Sequence, residues 1–175
     1  SANGLCSPGR EVLKRDLEFT EEQRPIVAQL FTADPDNMRE AAKLCRELGF
    51  DGIDINMGCP DKTITKRGAG AGLILQPKHA QEIIKTVKLA IKDWSEGKTI
   101  EEAEVAESII NWVSTFKKTH NIVTKRQILP VSVKTRMGFD SPVTTEWIPN
   151  LLEMEPVAIT LHGRTLAQMY TGRAD

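Results

Sequence analysis

The sequence predicts an α/β fold and, within that class, part of a (β/α)8 barrel. Two observations carry this. Short β-like runs at 25–30, 52–56, 131–135 and 157–162 are separated by helical patterns, the arrangement of parallel βαβ units. Within each run an apolar set alternates with a set that ends in a polar side chain.

The helices follow from start and stop signals. Asp34 can cap a helix whose first position is Pro35; Met38, Ala41, Ala42, Cys45 and Leu48 then form an apolar stripe that Gly49 stops. A second helix begins near Pro77 and carries Ile83, Ile84, Val87 and Ile91. The charged run KDWSEGK after it reads as a solvated turn. From Asp93 to Gln127 the interval is too long for one βα connection. Thr99 and Glu102 form a capping box, and Val105, Ile109, Trp112, Val113 and Phe116 follow at helical spacing. The expectation is an insertion at about 93–127, carrying an amphipathic helix packed on the outside of the domain rather than one that binds a partner.

In the strands, Ile26, Ala28 and Leu30 alternate with Val27 and Gln29; Ile53 and Ile55 with Asp54 and Asn56. Val131, Val133 and Thr135 alternate with Ser132 and Lys134; Val157, Ile159 and Leu161 with Ala158, Thr160 and His162. Neighbouring side chains point to opposite faces, so Gln29, Asn56, Lys134 and His162 are placed to converge from four strand ends. In a barrel the apolar set lies under the helices and the polar set crowns the C-terminal mouth, where barrel active sites sit. An antiparallel sheet with one wet face also alternates, but it needs no intervening helices. An open doubly wound sheet has βαβ units, but its strands are usually apolar on both faces.

With 175 residues and 40% hydrophobic content, the chain can bury the core of one domain. Its 23 basic against 24 acidic residues leave a net charge of -1, without the basic footprint of a nucleic-acid binder. Cys6, Cys45 and Cys59 form no CxxC pair, which argues against a disulfide framework or a zinc site. No apolar run reaches the ~18 residues of a membrane span. The opening SANGLCSPGR lacks the regions of a signal peptide, so the default compartment is the cytoplasm.

The most informative stretch is DINMGCP at 54–60, followed by the glycine-rich RGAGAG at 67–72. A strand ends at Asn56, Gly58 allows a turn, Pro60 stiffens the exit, and Cys59 is presented on the loop just past the strand. A thiol there can act as general acid, nucleophile or metal ligand, or simply as a small buried apolar residue, the reading that suits Cys45. The glycines do not match GxGxxG; they imply close backbone approach to a ligand or to the neighbouring strand. Lys134 lies among inward residues of its strand, where an ammonium needs an anion or electron-rich ligand unless it snorkels out. His162 and Arg164 suit contacts to phosphate, carbonyl or ring nitrogen, although a lone histidine is more often structural. His79 and His120 are expected to face solvent.

Taken together and in this order, INMGCP, KRGAGAGLI, VSVKTRMG, HGRT and QMYTGRAD resemble the flavin-dependent tRNA-dihydrouridine synthase family, and RPIVAQLFTADPDNMREAA resembles its upstream strand and helix. The resemblance covers nearly the whole chain except the insertion. It implies a (β/α)8 barrel that binds FMN, with NADPH as reductant and tRNA as substrate, without metal or membrane. Matched by position, Gln29, Lys134 and His162 would contact FMN, Cys59 would be the proton donor, Asn56 would lie near the target uracil, and Arg164 would touch substrate. The implied reaction reduces the C5–C6 double bond of uridine, with hydride from FMN to C6 and the Cys59 proton to C5. It also implies that 1–175 is part of the catalytic domain, with the first and last barrel strands and a helical RNA-binding domain outside it; a complete barrel takes ~250 residues. A flavin barrel acting on a free pyrimidine, of the dihydroorotate dehydrogenase type, and a catalytically silent fragment are the alternatives.

Overall fold

The computed structural model describes residues 1–5, 14–99 and 107–175. Six α-helices are described: α1 (Ala2–Leu5), α2 (Pro35–Leu48), α3 (Lys62–Lys66), α4 (Pro77–Ser95), α5 (Glu107–Thr119) and α6 (Thr144–Leu152). The strands are β1 (Val27–Leu30), β2 (Gly52–Met57), β3 (Val131–Arg136) and β4 (Ala158–His162).

The four strands form one parallel sheet in the order β1-β2-β3-β4. Parallel pairing excludes the antiparallel alternative. In a parallel ladder, paired residues share a face. Ala28, Ile53, Val131 and Val133 fall on one side with Leu30, Ile55, Met57 and Thr135, and all are buried. The helices pack there. The other face carries Gln29, Asp54, Asn56, Ser132, Lys134, Thr160 and His162, all exposed or half-buried. Sequential order with one covered face is the wall of a (β/α) barrel; a doubly wound sheet reverses its order and covers both faces. On the edge strand, Leu161 stays 44% exposed even though its parity is that of the buried set.

Local signals place α2 and α4 as expected. The Asp34 carboxylate accepts from the amides of Asp36 at 2.9 Å and Asn37 at 3.2 Å, and Gly49 closes α2 at φ 89°, where a side chain is strained. Pro77 is the first residue of α4. The turn expected at KDWSEGK begins later: α4 runs through Ser95, and Trp94 is 1% exposed. Trp94 extends the stripe Ile84, Val87, Ile91 by one more helical step, and burial of its ring outweighs the charges beside it.

Helix α5 lies where the amphipathic helix of the 93–127 segment was expected. Ile109, Val113 and Phe116 are buried, and Phe116 meets the ring of Phe19 at 5.6 Å, itself 4.8 Å from Phe50. It is thus a packed surface helix. Glu102 of the expected capping box and Val105 lie outside the described residues.

Candidate active site

The polar face of the sheet holds a continuous chain of hydrogen bonds. Ser132 Oγ donates to Asp54 Oδ1 at 2.6 Å, and Gln29 Nε2 donates to Asp54 Oδ2 at 2.7 Å. Asn56 Nδ2 donates to Gln29 Oε1 at 2.9 Å. Asn56 Oδ1 in turn accepts from the backbone amides of Gly58 at 3.0 Å and Cys59 at 2.9 Å. This Asx turn bends the chain off the end of β2. Gly58 lies in this turn, as expected, with a φ outside the left-handed region; it also permits close approach, since a Cβ there would lie 3.3 Å from the carbonyl carbon of Thr135.

Cys59 follows on that loop, half-buried, with its thiol unoxidised. The glycine-rich segment packs against it. Ala71 N donates to Cys59 O at 3.1 Å, and Gly70, at φ 57°, comes so near that a Cβ would lie 2.8 Å from the same oxygen. The close approach at Gly70 is thus to the Cys59 loop, where the expectation was a ligand or the neighbouring strand. Cys45 is the contrasting case: it is fully buried on α2, and burial pushes its thiol up to about 12, leaving it inert at neutral pH.

The cationic side of the site comes from β3, β4 and the loop after β4. Lys134 pairs in register with Asn56 on one side and Thr160 on the other; Arg136 pairs with His162. Arg136 is only 3% exposed, and its Nε donates to Gly58 O at 2.8 Å. Its Nη1 donates to Thr165 O at 3.1 Å and Met169 O at 3.2 Å, tying the Cys59 loop to the loop after β4. Arg164 donates to Gly172 O from Nε at 3.2 Å and from Nη2 at 3.0 Å, folding that second loop on itself. Among the described residues, Lys134, Arg136 and Arg164 make no ion pair with a carboxylate.

His162 feels this charge. Partial burial first, then the cations of Arg136, Arg164 and Lys134, hold its imidazole below the ordinary histidine range. Arg164 Nη1 approaches His162 Nε2 at 3.4 Å; a guanidinium only donates, so Nε2 is the acceptor and the ring proton sits on Nδ1. His162 is expected to titrate in NMR below the ordinary ~6.5. Arg164→Ala, which removes one of the cations, is expected to move the midpoint up. A ring held neutral in the fold takes its proton first in the unfolded chain. Its contribution to stability is therefore complete above ~6.5 and falls as pH drops toward the folded midpoint. A midpoint unmoved in the Arg164 variant would rule out that cation as a cause.

The six residues singled out by sequence therefore lie in one region at the C-terminal ends of the strands. Gln29, Asn56 and Cys59 are joined by hydrogen bonds, and Lys134 and His162 flank them. Arg164 is within reach of His162, but its bonds to Gly172 O are internal to its loop. Sequence reasoning passed over Asp54, Ser132 and Arg136 as site residues. Their parity on the polar face was visible; their partners were not. His79 and His120 are half-buried rather than simply solvent-facing: His79 contacts Glu82 through Nδ1 at 2.9 Å and Ala33 O through Nε2 at 2.5 Å, and the His120 ring lies 4.5 Å from that of Phe116, tilted by 39°.

A concavity of about 770 Å³ lies elsewhere: an apolar groove bounded by Leu89, Ile128, Val131 and Val157 at the opposite ends of the strands. Among the described residues no group of three or more His, Cys, Asp or Glu side chains is placed to hold a metal ion. No described helix is long and apolar enough to cross a membrane.

Known proteins are similar to nearly the whole of this chain. A probable tRNA-dihydrouridine synthase 2 of Bacillus subtilis is 32% identical over 97% of this chain, and a probable tRNA-dihydrouridine synthase 1 of Synechocystis is 35% identical over 93%. A Staphylococcus aureus relative with the same kind of name is 30% identical over 97%. The chain spans about two fifths of their length, 36–41%. The family profile described as dihydrouridine synthase matches residues 6–99 and 100–175, and with that coverage the chain belongs to the dihydrouridine synthase family.

Proposed function

We propose that this chain is the central part of the catalytic domain of a tRNA-dihydrouridine synthase, which reduces the C5–C6 double bond of uridine. The observation that carries the reading is the anchoring of Cys59: its loop hangs from Asn56, which is hydrogen-bonded to Gln29, beside cations without carboxylate partners among the described residues.

These residues fit a flavin. A site with excess positive charge favours an anionic ligand, and the amide N–H groups of Gln29 and Asn56 favour carbonyl oxygens and ring nitrogens. Gln29, Lys134 and His162 would hold FMN. The chemistry FMN supplies when bound is hydride delivery to uridine C6, with NADPH as the source of electrons. Lys134 offers a positive charge and His162 a neutral ring. Asn56 orients the uracil, and Arg164 meets the substrate from the β4 side. Cys59 gives its proton to C5, and its thiolate is restored to thiol from solvent. The target uridine must leave its stack, at a cost of roughly a few kcal/mol, offset by contacts elsewhere on the tRNA. The RNA-binding surface belongs to a helical domain beyond these residues, and the working compartment is the cytoplasm.

The test uses the natural full-length protein. Purified protein should be yellow, and after reduction by NADPH it should be reoxidised by tRNA lacking dihydrouridine, with dihydrouridine appearing in digested RNA. Reoxidation by free uracil or orotate instead would assign it to the free-pyrimidine class. A colourless protein that takes up no FMN would point to a catalytically silent one.

A further inference from the structure

We propose that Asp54 is a positioning residue: its carboxylate sets the polarity of a hydrogen-bond relay, Ser132–Asp54–Gln29–Asn56, that ends on the backbone amides holding Cys59. The proposal concerns how the site is held, and its functional consequence rests on the reading of Cys59 above.

The relay has one direction because its ends have one polarity. A carboxylate accepts and does not donate. With Ser132 Oγ on Oδ1, Asp54 can receive Gln29 on Oδ2 only through the amide nitrogen. That turns Gln29 Oε1 toward Asn56, which must answer with Nδ2. Asn56 Oδ1 is then left facing the amides of Gly58 and Cys59. Those amides are donors, so the far end demands the same orientation. Both ends agree.

Inverting the two amides would set Asn56 Nδ2 against two backbone N–H groups and Gln29 Oε1 against a carboxylate. Each contact would then bring like against like. The relay also decides what the site offers a ligand. Gln29 Nε2 and Asn56 Nδ2 each spend one N–H within the chain and keep one, so this part of the face presents donors and selects acceptor-bearing ring edges.

Asp54 lies one step below the tip of β2 and touches the loop only through two other side chains. A change there tests the relay without altering Cys59 or the groups expected to meet the ligand. Asp54→Leu keeps the branched shape and removes the acceptor. Asp54→Asn can still turn its oxygen to Gln29 and its amide to Ser132 Oγ, and serves as the rescuing substitution.

In the full-length protein, hydrogen exchange at Gly58 and Cys59 should speed up about tenfold in Asp54→Leu, the scale of two weakened hydrogen bonds. Asp54→Asn should stay within about twofold of the parent. The amides of Ile53 and Ile55, bonded within the sheet, should not change. Dihydrouridine formation per bound flavin should fall in Asp54→Leu and recover in Asp54→Asn. Unaltered exchange at Gly58 and Cys59 in the leucine variant would overturn the relay. So would equal acceleration across β2, the mark of a merely structural role, or failure of asparagine to rescue. A parent protein that makes no dihydrouridine would defeat the functional reading alone, because the exchange result is read without turnover.

Discussion

Cys59→Ala in the full-length protein is expected to retain its flavin and lose dihydrouridine formation by about 10²–10⁴-fold, the usual worth of a positioned proton donor. The thiol lies at the end of a loop held from three sides: by Asn56 Oδ1 on its own amide, by the Ala71 amide on its carbonyl, and by Arg136 on the preceding carbonyl. None of these bonds uses the side chain, so alanine leaves the loop intact and removes only the proton. The measurement is single-turnover reoxidation of pre-reduced protein by unmodified tRNA, with flavin absorbance as the control for the site. Cys45→Ala, in the core and away from the polar face, should keep the parent rate. Normal turnover without the Cys59 thiol would remove it from the mechanism.

Arg136→Met is expected to lower stability by about 3 kcal/mol and to free the Cys59 loop before the sheet itself gives way. Arg136 is 3% exposed, and the three bonds of its guanidinium all go to main-chain carbonyls, those of Gly58, Thr165 and Met169. Methionine fills similar space and donates nothing. Each carbonyl left buried without a partner costs about 1–3 kcal/mol, which the loops reduce by parting and admitting water. Lysine should not restore the parent, since one ammonium cannot reproduce a planar fork that reaches two loops at once. Chemical denaturation measures the loss, and alkylation of Cys59 measures the loosening. An unchanged alkylation rate would mean that the Cys59 loop is held without Arg136.

Much of this architecture was legible beforehand. The four strands fall on the four β-like runs, and α2 ends at the glycine that its pattern named. Capping, helical stripes and strand alternation are written in residues a few positions apart, so local geometry decides them. The exceptions have the same origin. Trp94 sits among charges, and its burial depends on packing that no neighbouring residue announces. His79 and His120 looked solvent-facing because their partners, Ala33 O and the Phe116 ring, are visible only in the folded chain.

By itself, the sequence determined which side chains share a face within each strand, because a strand repeats every two residues whatever surrounds it. It therefore placed Gln29, Asn56, Lys134 and His162 on the polar side of their own strands. Only the tertiary structure decided that Asp54 sits between Ser132 and Gln29, and that Arg136 spans from Gly58 to Thr165. The alternation fixes which face each residue takes, but which residues lie opposite one another depends on pairing between strands tens of positions apart, which only the packed sheet decides.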